Sequence, residues 1–312
     1  MTRKLLSVVL LIVLTVIPLK TANALSLAYV VEQQELTIEL GPDGSAKIED
    51  RIRYSGPSSF QPTYTIYSPS NLADSTFGFS IEELNLAIEV VDLETGKSQM
   101  IEASDHLEDG HYYAYPEQDT VQIEFPMFDQ GYKFELVFRY EFENFVTNYQ
   151  DVAVIDTLKA AGGPLQQYTQ ATVRLILPGA LDFSADQAAT TDLTNVEEAV
   201  TEEDEVGLPS SPTFKQSTNE LAHFSEKLPG DLWAWLFYAE KAQLTLEPGD
   251  EQTVMQIHFP KIGLGEPTEI QIATPVERFP ANPYQISEPI LDELMATNHE
   301  RMQTAEPYED IW

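Results

Sequence analysis

The sequence predicts an all-β protein: two antiparallel β-sandwich domains of immunoglobulin-like type, followed by a short C-terminal helix. Three observations lead there. Residues 132–143 read YKFELVFRYEFE, with Tyr132, Phe134, Leu136, Phe138, Tyr140 and Phe142 at the even positions and charged residues at the odd ones, Val137 excepted. Alternate side chains of a strand point to opposite faces, so this spacing makes one aromatic face for a core and one charged face for water. Shorter runs of the same kind recur along the chain between turn-forming Gly, Pro and Asp residues, which is the pattern of sandwiches. Helical spacing is confined to the C-terminal end.

The 312-residue chain opens with Arg3 and Lys4, an apolar run over 5–19, and the small-residue pattern Ala22-Asn23-Ala24. Together these spell a signal peptide, residues 1–24, cleaved between Ala24 and Leu25. The apolar run is shorter than the roughly 20 residues of a membrane span. No later stretch approaches that length, so the exported form reads as soluble. Acidic residues number 51 against 17 basic ones, a formal net charge of −34. Such a surface repels nucleic acid and anionic lipid headgroups, which excludes both as electrostatic partners. Cysteine is absent; there is no disulfide and no lipid-modified cysteine, and stability rests on packed cores.

The first domain, residues 25–160, begins with a hairpin. Leu36, Ile38 and Leu40 alternate with Thr37 and Glu39, GPDG at 41–44 makes the turn, and Ala46, Ile48, Ile52 and Tyr54 alternate with Lys47, Glu49, Arg51 and Arg53. Proline and glycine supply the fixed and positive φ angles of such turns. Asp50 falls among the apolar positions. A buried carboxylate is unfavourable unless paired or hydrogen-bonded, so backbone amides or an arginine are expected around it. Strands follow at 64–67, 84–90 and 121–125, then the long strand, then 149–155.

KAAGGP at 159–164 marks a domain boundary, and the second domain, 164–262, continues with alternating Ala171, Val173, Leu175 and Leu177. The stretch 181–217 reads as a mobile acidic loop, since EEAVTEEDE at 197–205 repels itself and prolines follow. LWAWLFYA at 232–239 is apolar on both faces, a buried strand. EPGD at 247–250 turns a hairpin from Leu244 and Leu246 to Met255, Ile257 and Phe259. The extension 263–312 is proline-rich and ends in an amphipathic helix. Ser287 caps it, Pro289 sits in its first turn, and Ile290, Leu291, Leu294, Met295 and Met302 fall near one stripe.

Signatures of catalysis are absent: there is no glycine-rich phosphate loop, no G-x-S-x-G elbow and no H-E-x-x-H. Of the stretches holding the five histidines, only DHLEDGH at 105–111, with His106 and His111, gathers potential ligands closely. That spacing fits neither a zinc site nor an EF-hand loop. Asp105, Glu108 and Asp109 are therefore only weak metal candidates, for Ca²⁺, and no cofactor is implied. A glycosidase needs two carboxylates flanking a cleft, and 51 acids offer too many pairs to single one out. Trp233, Trp235 and Phe237 suggest a sugar platform, but alternating aromatics in an apolar strand belong more often to a core.

Three stretches, DGSAKIEDRIRY at 43–54, YEFENFVTNYQDVAVI at 140–155 and VRLILPG at 173–179, resemble a family of bacterial predicted membrane proteins of unknown function. Asp43-Gly44-Ser45, the inward acid Asp50 and Asp151-Val152-Ala153 sit at that family's positions, with aspartate at 50 where the family usually has glutamate. The resemblance implies an extracytoplasmic β-rich region behind a signal peptide, with membrane helices after it. Residues 287–304 are similar to the segment preceding those helices, none of which follows here. The chain then reads as a short secreted member or as the ectodomain of a longer membrane protein. Its expected role is a binding or interaction module of the cell envelope, without catalytic activity, meeting an envelope or membrane protein or a glycan. The alternatives are a secreted glycan-directed enzyme and a calcium-stabilised structural protein.

Overall fold

The computed structural model describes residues 30–56, 59–67, 81–106, 108–116, 120–129, 132–160, 170–180, 214–217, 223–228, 230–237, 242–260 and 268–304. The predicted hairpin is β1 (Val30–Leu40) and β2 (Ala46–Ser55). Then come β3 (Thr63–Tyr67), β4 (Ala87–Asp92), β5 (Ser98–Ala103), β6 (His111–Pro116), β7 (Thr120–Glu124) and the long alternating strand, β8 (Lys133–Phe142). After β9 (Val146–Asn148) and β10 (Ala153–Ala160) follow β11 (Ala171–Pro178), β12 (Phe214–Ser217), β13 (His223–Leu228), β14 (Leu232–Phe237), β15 (Gln243–Pro248), β16 (Gln252–Phe259) and β17 (Thr268–Thr274). Helix α1 (Leu291–Thr304) closes the described chain.

These strands make two sheets. One has twelve strands in the order β12-β15-β16-β11-β1-β2-β8-β4-β5-β6-β7-β3, the other five in the order β13-β14-β17-β10-β9. At one end the large sheet folds back on itself: Tyr64 of β3 stacks on Phe138 of β8, ring centroids 3.8 Å apart. Period-2 spacing puts Phe134, Leu136 and Phe138 inside, against Tyr54, Val121, Ile123 and Phe125. Phe134 is the hub, facing the rings of Tyr54, Phe60, Phe128 and Tyr132 at 5.3, 5.8, 4.1 and 5.3 Å. Each such pair adds roughly 0.5–1.5 kcal/mol beyond the area it buries. At the other end the five-stranded sheet covers the large one, Leu236, Ile270 and Ile272 sharing the core with Val173, Leu175 and Ile257. Its back buries Val154, Trp235, Phe237 and Ala273 beneath Ile290, Leu291, Leu294 and Met302.

The expectation of a β protein with one terminal helix agrees with this architecture, whereas two separate immunoglobulin-like sandwiches are not what the strands form. The boundary expected at 159–164 is crossed by pairing in both sheets. Strand β1 runs parallel to β11, from Gln34↔Ala171 to Glu39↔Ile176, and β10 is antiparallel to β17. An unpaired side of β1 would expose a row of backbone donors and acceptors, and β11 satisfies it from the far half of the chain.

Local departures have local causes. Residues 84–90 do not form one strand: a 3-10 turn, Ile81–Leu84, ends in Asn85 at φ 49° before β4 begins. Residues 149–155 break at a turn, where Tyr149 N–H donates to Val152 O at 2.8 Å. Part of the expected acidic loop, Phe214–Ser217, is strand β12, paired with β15. Residues 181–213, including the 197–205 block, lie outside the described residues, as do Ala22, Ala24 and Leu25. On the outer face of β8, Glu135 is only 4% exposed. Arg51 and Arg53 hold it at 2.8 and 3.0 Å, while Arg139 bridges Glu49 at 2.8 Å and Glu89 at 3.0 Å.

Candidate functional site

Two groups of polar residues converge inside this fold. The first surrounds Asp50, which is buried as its place among apolar positions requires. Among the described residues neither an arginine nor backbone amides supply its hydrogen bonds. Gln34 Nε2 donates to both carboxylate oxygens at 3.1 and 2.9 Å, and the Tyr64 hydroxyl donates to Oδ2 at 2.8 Å. Tyr140 Oη lies 3.2 Å from Tyr64 Oη. Arg51 and Arg53 leave β2 on the opposite face. Burial therefore dominates and pushes the Asp50 carboxyl up to about 7, against the lowering effect of Tyr64 and Gln34. Burial also raises both tyrosines. The cluster fastens β3 across the sandwich to β1, β2 and β8. At 2% exposure Asp50 is not placed to meet a solute.

The second group lies where the tail leaves the body. Pro275 follows β17 and lacks the N–H that would continue its ladder, so residues 275–290 run on as a strap. Asn282, 2% exposed, anchors it. Its Nδ2 donates to Val146 O at 2.8 Å and Asn148 Oδ1 at 3.2 Å, and its Oδ1 accepts from Tyr284 N–H at 2.9 Å. Asn148 Nδ2 donates in turn to Phe279 O at 3.0 Å. Gly44, in the β1–β2 turn, packs on Asn282. Its φ of 80° and a hypothetical Cβ 2.7 Å from Asn282 Nδ2 both demand glycine. Its carbonyl accepts from the amides of Phe145 and Val146 at 2.9 and 3.1 Å. Asp43 shapes this turn by accepting from the Ser45 hydroxyl (2.6 Å) and amide (3.2 Å), bonds that hold its carboxyl below the usual range.

Asp151 completes the attachment. Its two carboxylate oxygens accept from the N–H groups of Ile290 and Leu291, each at 3.0 Å. These donors have no partner within a helix, so Asp151 caps α1 from across the fold. Burial opposes ionisation, but the helix amides outweigh it and hold this carboxyl low. Ser287, the cap expected from spacing, does not serve. Farther along α1, Asn298 Nδ2 donates to Gln271 Oε1 at 2.6 Å, and Arg301 pairs with Glu269 while lying 4.0 Å over the Phe237 ring. The quoted motifs Asp43-Gly44-Ser45 and Asp151 thus meet on the tail. Sequence reasoning missed Asn148 and Asn282; Asn282 stands between apolar residues at 279–284, while Asn148 lies in a polar stretch that marks nothing.

Strap and sheet form an open groove of about 550 Å³ lined by Asn148, Gln150, Glu277, Phe279, Gln285 and Ile286, with four further residues. That size lies within the range of small-molecule sites. One wall is the strap itself, which covers the edge of β9. Asn148 forms a parallel bridge with Gln285; Asn148 N–H donates to Tyr284 O at 2.9 Å and Ile286 N–H to Asn148 O at 2.7 Å. Tyr284 and Ile286 are each 41% exposed.

Other predicted positions contribute less. Asp105, Glu108 and Asp109 are exposed between β5 and β6, and among the described residues no three His, Cys, Asp or Glu side chains group as metal ligands. Trp233 and Trp235 stack at 6.1 Å, but Trp235 is 1% exposed, packed in the cluster beneath the tail. Among the described residues no helix is long and apolar enough to cross a membrane.

Residues 30–274 match the family described as "Predicted membrane protein (DUF2207) N-terminal domain". None of the curated proteins matches the sequence. Solved structures that are similar at low level include the following two. A "putative protease" from Parabacteroides distasonis gives a TM-score of 0.37 at 8% identity over 79% of this chain, which spans 40% of that protein's chain. A "putative nutrient binding protein" from Legionella pneumophila gives 0.35 at 6% identity, over 78% of this chain and 67% of the other.

Proposed function

This chain belongs to the DUF2207 family of predicted membrane proteins, matching its N-terminal domain over residues 30–274, and on that premise we propose that it is an extracytoplasmic interaction module of the bacterial cell envelope. The attachment of the tail is the observation that carries this reading. A stiff link lets a body that binds a partner outside a membrane convey the contact directly to the part that follows it. Here the link, residues 275–304, is fixed by Asn282 and Asn148 at its start, by Asp151 at the head of α1, and by the apolar face under Leu291 and Leu294. The signal-peptide pattern at 1–24 supplies a route of export. The net charge of −34 keeps the body off anionic lipid. No catalytic role is assigned, because the enclosed Asp50 cluster serves the sandwich.

The test is made in producing cells. Protease added to intact cells should digest the body. A photo-crosslinking residue at Tyr284 or Ile286 should form a discrete adduct with an envelope component, and the same residue at Glu141, on the outer face of β8, should form none. Equal labelling from all three positions, or from none, overturns the reading.

A further inference from the structure

The strap joins β9 through a single parallel bridge, and we propose that its outer side and the groove beside it take an extended, basic and apolar segment of a protein partner by strand addition. The inference rests on the interaction-module reading and gives its partner a chemistry. In a parallel bridge the residues on either side of the bridging one make the hydrogen bonds. Tyr284 O and Ile286 N–H are turned to Asn148, so the N–H and C=O of Gln285 between them face away from the sheet. Among the described residues no strand pairs with that outer side: the sheet ends at β9, and the strap lies beyond it. Such an edge is a template for another extended chain.

Its surroundings choose the chain. Pro283 and Pro289 bound the open stretch 284–288, and proline cannot donate to a ladder, so pairing stays short. Tyr284 and Ile286 stand half-exposed on it and offer apolar contact to alternate side chains of an incoming strand. Glu277 lines the adjoining groove with Phe279, and Glu288 ends the stretch. Two carboxylates on a molecule of charge −34 favour a cationic segment and disfavour a second copy of this chain.

The probe is a labelled heptapeptide of alternating lysine and valine with blocked ends, titrated into the full chain and followed by fluorescence anisotropy. Binding should weaken about tenfold, the equivalent of roughly one net hydrogen bond, when alternate peptide nitrogens are methylated or when Gln285→Pro removes the outward N–H. Gln285→Pro leaves the bonds of Tyr284 O and Ile286 N–H in place and removes only one side-chain bond, to Asn282 O. Amide exchange of α1 should therefore be unchanged in that variant. Glu277→Gln should also weaken binding, and Glu141→Gln should not. Binding indifferent to N-methylation and to Gln285→Pro is charge attraction alone and overturns the proposal, as does no binding. A concentration-dependent dimer lost in Gln285→Pro gives the edge to a second copy and overturns it too. Crosslinks from the strap alongside any of these failures remove strand addition and leave the interaction module standing.

Discussion

Asp50 makes stability depend on pH in the sense opposite to the hydrogen-bonded carboxylates at the tail attachment. Its folded carboxyl titrates near 7 against 3.8 for the free side chain, so between those values the folded protein holds a proton that the unfolded chain has released. Stability from this group is complete below about pH 4, falls as pH rises, and levels above about 7; three pH units correspond to roughly 4 kcal/mol. Asp43 and Asp151, held low by hydrogen bonds, act in the other direction and lose their contribution in acid. Comparison with Asp50→Asn isolates the effect of this one carboxyl. Urea unfolding should show the variant gaining on the wild type by up to about 4 kcal/mol from pH 4 to pH 8, and parallel curves would show that Asp50 is ionised at little cost. The inward acid was legible because it interrupts an alternation. Its partners were not: Tyr64 arrives from β3, whose position over β8 depends on how the sheet folds back.

The tail shows how far a short-range rule reaches. Ser287 and Pro289 carry the local marks of a helix start, and they place it within a few residues of Leu291. The actual cap, Asp151, comes from 139 residues away, which no spacing rule can find. Asp151→Ala should cost about 1 kcal/mol of helix stability, and Asn282→Ala about 1–3 kcal/mol, since Val146 O and Tyr284 N–H lose their buried partner. Hydrogen exchange should report both as lost protection over 291–304, with β8 unchanged. Unaltered protection in Asp151→Ala would mean that the contacts of Leu291, Leu294 and Met302 hold α1 unaided. The same limit explains strand β17. It pairs with β10 and β14 from far along the chain and lies among prolines that read locally as an extended connection, whereas β13 forms a local hairpin with β14 that its weak alternation does not announce.

At the scale of the whole molecule, like charges repel one another. A charge of −34 destabilises the compact state, and salt screens it over about 10 Å at 0.1 M. The melting temperature should rise with NaCl, and CaCl₂ at matched ionic strength should raise it equally. An excess with Ca²⁺ would point to carboxylate sites, first Asp105, Glu108 and Asp109. The pairings that cross between halves have a different consequence, one of timing. Strand β1 lacks one neighbour until β11 exists, and β10 and β14 both wait for β17, which lies between them. Contacts so distant in sequence slow folding. A chain emerging N-terminus first, from a ribosome or through a membrane channel, therefore travels most of its length with neither sheet complete. The pairings among β1 to β8 need nothing later, but the five-stranded sheet closes only when β17, its last strand, arrives.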